Sequence, residues 1–308
     1  RGRLVALFQF NVVLGILIAY VSNYFIQGSG ANDWRWMLGV EAVPALLFAV
    51  LVPFIPRSPR WLLIKRGDEV SARAVLQRVD PAYVEQAIQS IKTDHERMTK
   101  MERIGLFSGK FNKPILLAVL FAFFNQLSGI NAIIYYAPRI FESGGLGSNV
   151  ALASTMGIGM VNLIFTLLGI ALIDFTGRKK LMAVGSFGLI ACLGLIARAF
   201  LNQSFDNLSY FFFAYIGFFA MSQGAVIWVF ISEIFPNEVR AAGQSLGSFT
   251  HWILAAIIAN AFPYFTERLG EGVIFGFFTF MMVLQLVFVW RVMPETKGRS
   301  LEDLGHGL

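Results

Sequence analysis

Eight stretches of this chain are long and apolar enough to cross about 30 Å of hydrocarbon at 1.5 Å per helical residue. They lie near residues 4–26, 36–55, 114–137, 150–173, 181–201, 208–235, 241–265 and 272–293. A chain in lipid must satisfy its backbone hydrogen bonds internally, and these runs are about twice the length of a barrel strand, so each is read as a helix. The fold class expected is therefore an all-α membrane protein. Composition agrees: 14% of residues are charged, against roughly 25% in a soluble domain. The single cysteine, Cys192, sits inside an apolar run, which excludes a disulfide framework, a thiolate zinc site and an iron–sulfur cluster. No cofactor or metal is expected. The sequence carries no HExxH or Walker glycine loop, so an enzyme is not expected either.

The net charge of +6 would suit nucleic acid if the basic residues clustered on one surface. They sort by side instead. With alternate connections assigned together, 21 of the 25 lysines and arginines fall on one side. These are Arg1, Arg3, twelve within 57–113, Arg178, Lys179, Lys180, Arg240, Arg291, Lys297 and Arg299. Only Arg35, Arg139, Arg198 and Arg268 fall on the other. The positive-inside rule makes the richer side cytoplasmic and puts both termini there. The charge thus reports topology, the expected location is a multi-pass cell membrane, and nucleic acid is not an expected partner.

Between the second and third runs lies a long polar segment, 57–113, read as a cytoplasmic helical linker. Asp80 followed by Pro81 is a helix-start signal. Val84, Ala87, Ile88 and Ile91 then form one apolar stripe, so an amphipathic helix is expected to pack on the cytoplasmic bundle ends. An internal repeat frames the segment. Arg1 and Arg240 each open a turn into a helix, and two spans later Pro56 and Pro294 each lead a basic motif in nearly the same register. The first two helices therefore match the last two of a six-span unit beginning near 114. By that register, four further spans of about 126 residues, the stretch from 114 to 239, are expected ahead of Arg1. Two parallel six-span repeats joined by a cytoplasmic linker form the major facilitator architecture, with its substrate site at mid-membrane. The division expected is 1–56 for the last two helices of an amino-terminal bundle, 57–113 for the linker, 114–293 for the carboxy-terminal bundle and 294–308 for a tail.

Polar side chains inside a span need a reason, because a charge at its centre costs about 2.5–3.5 kcal/mol on insertion scales. The densest set is Asn125-Gln-Leu-Ser-Gly-Ile-Asn131, followed by Tyr135 and Tyr136. Gly129 would let the helix bend so that these groups face one cavity, and Gln126 and Asn131 lie within roughly 140° on the helix wheel. Amides both donate and accept, which suits a neutral polyhydroxy ligand. Helix–helix glue is the competing reading. Gln9, Asn162, Gly224, Trp228, His251 and Trp252 lie in other spans. Taken one by one they are packing residues; taken together they read as a sugar cavity, with indole faces for a pyranose ring and amides for its hydroxyls.

Four segments in order, Gln126-Leu-Ser-Gly-Ile-Asn-Ala-Ile-Ile-Tyr-Tyr136, Asp174-Phe-Thr-Gly-Arg-Lys-Lys180, Pro236-Asn-Glu-Val-Arg240 and Pro294-Glu-Thr-Lys-Gly-Arg299, resemble the signatures of the sugar porters of the major facilitator superfamily. The resemblance covers the whole chain. It implies transport of a monosaccharide by alternating access, by proton symport or facilitated diffusion, with the lipid bilayer as surroundings and a monomeric state. It also implies sugar ligands at Gln9, Gln126, Asn131, Asn162 and Trp228, with Tyr135, Phe219, Gly224 and Trp252 lining the cavity or its gates. A cytoplasmic ion-pair network of Asp174, Arg178, Glu233 and Arg240 is implied as well.

The chain departs from that pattern at three places. Asn125 stands where the first of two glutamines is usual, and His251 replaces the amide before the last tryptophan, either as a neutral donor and acceptor in the amide's place or as the mark of a different sugar or a pH-sensitive cavity. In Pro56-Arg57-Ser58-Pro59-Arg60 a carboxylate has become a guanidinium. Glu41, inside the second span, is either a proton-linked carboxylate or a hydrogen-bonding group near the headgroups. A polyol or cyclitol transporter and a non-transporting sugar receptor stay open as alternatives, and the 308-residue chain by itself is not expected to transport.

Overall fold

A computed structural model describes residues 2–100, 105–236 and 238–297; side chains are described for 9–96, 105–236 and 238–297. Among the described residues eight helical segments are long and apolar enough to span a membrane, and they coincide with the eight runs expected. Most extend a few residues past the apolar core, because flanking polar residues continue a helix once hydrocarbon burial has nucleated it. Arg1, Asn237 and the residues from 298 onward, which include most of the expected tail, lie outside the described residues.

The chain divides into two compact units. The smaller, Asn32–Gly105, holds the second apolar run and most of the polar segment. Its apolar run is two helices, α2 (Asp33–Gly39) and α3 (Ala42–Leu51). Pro44 is the local cause: it has no N–H to return to the Val40 carbonyl, so the Val43 N–H takes that carbonyl instead at 3.1 Å. Glu41 sits at this junction and is exposed.

A three-residue helix α4 (Pro59–Trp61) runs into a π-helical turn, Leu62–Arg66, closed by Gly67. The helices α5 (Glu69–Val79) and α6 (Val84–Lys100) then form an antiparallel-type hairpin pair. Asp68 caps α5 by accepting from Ser71 N–H at 2.9 Å, and Asp80 accepts from Ala82 N–H at 3.1 Å where Pro81 leads towards α6. The expected stripe is real: Val84 and Ile88 are buried and Ala87 and Ile91 half-buried, and α6 contacts both α5, where Ala72 is buried, and the π-helical turn, where Leu62 is buried.

The larger unit contains α1 (Gly2–Ile26), α7 (Asn112–Gln126), α8 (Ile130–Ser143), α9 (Ser148–Thr176), α10 (Arg178–Leu201), α11 (Leu208–Phe219), α12 (Ala225–Ile234), α13 (Arg240–Leu269) and α14 (Glu271–Arg291). Helix α10 packs along α14 and α11, α9 along α1 and α11, and α7 along α13. Small residues permit the close crossings, as is usual where lipid offers no hydrophobic drive between helices. A Cβ on Gly159 of α9 would stand 3.0 Å from the Tyr20 ring of α1, and one on Gly169 would stand 2.7 Å from the Met221 carbonyl. The core is aromatic, with Phe121, Phe141, Phe212, Phe230, Phe235 and Phe275 all but fully buried.

Candidate functional site

Two constellations stand out in the larger unit. The first is built on a break in one span. Helix α7 ends at Gln126, and Gly129 adopts φ +83° before α8 begins, a region open to glycine and costly for other residues. A Cβ there would also stand 2.5 Å from the Phe278 ring of α14. The hydroxyl of Ser128 turns back to the Asn125 carbonyl at 2.7 Å, and Tyr215 of α11 donates to the Ser128 carbonyl at 2.9 Å. The break is thus held from outside the helix as well as within it.

Across this break the amides converge. Asn131 Nδ2 donates to Gln126 Oε1 at 2.7 Å, and Gln126 Nε2 donates to Asn125 Oδ1 at 3.3 Å. The same Gln126 nitrogen lies 3.0 and 3.1 Å from the two ring nitrogens of His251 on α13, where it donates to the unprotonated one. The imidazole stands between two indoles, 5.0 Å from Trp228 of α12 and 5.1 Å from Trp252. Asn125 Nδ2 is buried with no hydrogen-bond partner among the described residues. Six of the expected residues, Asn125, Gln126, Asn131, Trp228, His251 and Trp252, are therefore in mutual contact or one contact removed.

The others are placed around them. Gly224 ends a π-helical turn, Ala220–Gly224, between α11 and α12, and Phe219 immediately precedes it, stacked on Tyr215 at 6.4 Å. Asn162, buried on α9, accepts from Thr166 at 3.5 Å. Gln9 is half-buried on α1, and Tyr135 is exposed on α8. Among the described residues no hydrogen bond or ring contact joins Gln9, Asn162 or Tyr135 to Gln126. Glu41 belongs to the smaller unit. The π-helical turn was not anticipated. Its local signal is Ser222, whose hydroxyl accompanies the turn by donating to the Phe218 carbonyl at 2.6 Å.

The second constellation lies at the helix ends where α9 meets α10. Arg178 is buried and forks onto Glu233 of α12, Nη2 to Oε1 at 2.8 Å and Nε to Oε2 at 3.2 Å, while Asp174 lies 3.4 Å away on its exposed side. Thr296 donates to Glu233 at 2.6 Å. Arg240 sends Nε to the Phe235 carbonyl at 3.3 Å, so its described hydrogen bond serves the turn that starts α13.

Sequence reasoning missed Glu295. Its two carboxylate oxygens accept from the backbone N–H groups of Arg178 and Lys179, each at 3.0 Å, at the start of α10. Burial raises its pKa, but N–H donation from Lys297, Arg178, Lys179 and Thr296 outweighs this and holds the carboxyl below its ordinary range. Lys297 completes the cluster by donating from Nζ to the Phe175 carbonyl at 2.8 Å. Its one trace in the sequence is its place inside the Pro294–Arg299 motif, which does not by itself name the helix it caps.

Comparison with known proteins is consistent over the chain's whole length. The family model described as sugar (and other) transporter matches residues 1–307. The chain is 35% identical to the D-xylose-proton symporter of Escherichia coli K12 over 99% of its own length and 64% of that protein's. It is 33% identical to facilitated glucose transporter member 1 of solute carrier family 2 from Gallus gallus, over 99% of this chain and 64% of that one. It thus spans just under two thirds of either relative. Among solved structures, a major facilitator superfamily proton:xylose symporter bound to 6-bromo-6-deoxy-D-glucose matches with a TM-score of 0.80 and 34% identity, covering 99% of this chain and 67% of that one. The chain has the major facilitator fold and belongs to the sugar transporter family of multi-pass membrane proteins.

Proposed function

We propose that this chain forms part of a monosaccharide transporter that works by alternating access, binding one pentose or hexose at the break between α7 and α8. The observation that carries the reading is the convergence of Asn125, Gln126, Asn131 and His251 between Trp228 and Trp252. These groups offer donors and acceptors without a formal charge, and Asn125 Nδ2 is a buried donor still open to an acceptor. A sugar hydroxyl meets both needs, and an indole face suits the C–H face of its ring. Gln9, Asn162 and Tyr135 would complete the site from their own helices. The relatives named as a xylose-proton symporter and a facilitated glucose transporter support both a coupled and an uncoupled cycle.

In this reading the Arg178–Glu233–Glu295 cluster is the inner gate. It would be made in one state and loosened in the other, which gives two packings a few kcal/mol apart. Both termini are cytoplasmic, since the basic residues crowd that side, and the protein acts as a monomer in the bilayer. Counterflow in proteoliposomes tests the reading on the full-length protein: labelled xylose or glucose is expected to exchange with internal unlabelled sugar. A complete lack of exchange for hexoses, pentoses and inositol would remove it, and proton uptake with sugar entry would separate symport from facilitated diffusion.

A further inference from the structure

Outside both constellations, one exposed patch of the smaller unit has a chemistry that sugar transport does not use. Where the apolar α2–α3 run ends, the chain reads Pro56-Arg-Ser-Pro-Arg-Trp-Leu-Leu-Ile-Lys-Arg66, with four basic residues and no acid between Glu41 and Asp68. Arg57, Arg60, Lys65 and Arg66 are all exposed, as is the Trp61 ring. The Arg57 guanidinium lies 5.1 Å and that of Arg66 5.3 Å from the centre of that one indole. The local backbone makes this possible. An extended Ile55 brings Arg57 back towards α4, and the π-helical turn brings Arg66 round to the same ring.

The nearby carboxylates are engaged elsewhere. Asp68 caps α5 through Ser71, and that hydrogen bonding, with a weaker pull from Arg66, holds its carboxyl below the usual carboxylate range. Glu69 pairs with Arg73 at 2.9 Å and with Lys92 at 2.6 Å. Among the described residues Arg57, Lys65 and Arg66 have no carboxylate within ion-pair distance. A guanidinium pair steadied on an aromatic face is preorganised for a phosphate, and tryptophan is at home where apolar spans meet headgroups.

We infer that Arg57, Trp61, Lys65 and Arg66 form a binding site for the phosphate of an anionic phospholipid at the end of the α2–α3 span. A basic cluster directly following a span is attracted to an anionic leaflet by about 1 kcal/mol per residue, and the apolar helix supplies the neighbouring surface for the acyl chains. This goes beyond the transport reading and does not depend on it.

The test uses the full chain reconstituted in vesicles of equal phosphatidylglycerol and phosphatidylcholine, each lipid in turn carrying the same photoactivatable acyl group. The phosphatidylglycerol probe is expected to label the 57–66 peptide in preference to the phosphatidylcholine probe. Arg57→Gln with Arg66→Gln should lower that preference roughly twenty- to thirty-fold, from about 1 kcal/mol per charge, whereas Lys110→Gln with Lys113→Gln should leave it in place. Equal labelling by both probes in the unsubstituted chain overturns the proposal, and this arm needs no variant to fold. So does an equal loss in both double variants, which would mean diffuse charge attraction. Suppression of labelling by millimolar inorganic phosphate at constant ionic strength would assign the site to a soluble anion and also overturn it.

Discussion

Glu295 caps the helix that Arg178 begins: its two carboxylate oxygens take the backbone N–H groups of Arg178 and Lys179, each at 3.0 Å. The arrangement depends on Gly177, whose φ of +87° turns the chain into α10 and whose missing side chain leaves room for the carboxylate. A Cβ at that position would stand 2.7 Å from Glu295 Oε2. A negative charge at the positive end of a 24-residue helix is favourable in itself. The contact also ties the segment after α14 to the start of α10, two helices that already pack along their length.

Removing the cap by Glu295→Ala should destabilise the folded chain by about 1–2 kcal/mol. Gly177→Ala should cost about 1–3 kcal/mol through its backbone conformation alone, and more through the carboxylate contact. The two losses should not add. The alanine contact with Glu295 disappears in the double variant, so thermal unfolding in detergent should show a combined loss smaller than the sum. Simple additivity would mean that Gly177 and Glu295 act independently.

The same carboxyl sets a pH dependence. Its folded-state pKa lies below its ordinary value of 4.5, so its stabilisation is fully present above that value and is lost as pH falls through the lower folded value. Below pH 4.5 the difference in unfolding temperature between the native chain and Glu295→Gln should therefore shrink. A difference that stays constant down to pH 3 would remove the charge from the account.

Arg178 is the other half of this junction. Its fork onto Glu233 uses two different nitrogens, and a third donates to the Ile173 carbonyl at 3.3 Å. Lysine keeps the charge but not the fork. Arg178→Lys should cost about 1–3 kcal/mol, and Arg178→Ala more, because it leaves Glu233 partly buried without its cation. Equal stability of the lysine variant and the native chain would show that charge alone suffices.

How far these features can be read from the sequence depends on the range of the interaction behind them. The eight spans are legible because apolar length is a property of contiguous residues. The Val84 to Ile91 stripe is legible because helical period alone decides which side chains share a face. The junction at Glu41 within the second span is only half legible: Pro44 announces a missing N–H, but which donor replaces it is settled by the fold. The π-helical turn at Ala220–Gly224 leaves no period of its own. Glu295 was hidden for a different reason. Nothing local distinguishes a carboxylate that caps a helix 117 residues away from one in a solvated tail. In the amide cluster, sequence spacing puts Gln126 near Asn131, and only the packing of α7 on α13 brings His251 to Gln126.

That packing gives the proposed sugar site its sharpest test. Gln126 is the shared member, accepting from Asn131 and donating to Asn125 and His251. Gln126→Ala should weaken sugar binding about ten- to a hundred-fold, the loss expected when one amide's bonds are removed and its partners are left buried. His251→Asn should weaken it less, since an amide can both donate and accept in the same place. The measurement is sugar-dependent tryptophan fluorescence of the full-length protein, with Trp228 and Trp252 beside the imidazole as reporters. Unchanged affinity in Gln126→Ala would move the site elsewhere.

The break that assembles this cluster can be tested separately from the side chains. Gly129→Ala introduces two costs: positive φ, about 1–2 kcal/mol for a residue with a Cβ, and overlap with the Phe278 ring of α14. Phe278→Leu should relieve only the second. The double variant should therefore be more stable than the sum of the single losses predicts, yet remain below Phe278→Leu alone by roughly the backbone cost. If Gly129→Ala is as stable as the native chain in thermal unfolding, α7 and α8 do not need the left-handed turn at residue 129. The amide cluster would then have to be positioned by the Tyr215 and Ser128 hydrogen bonds alone.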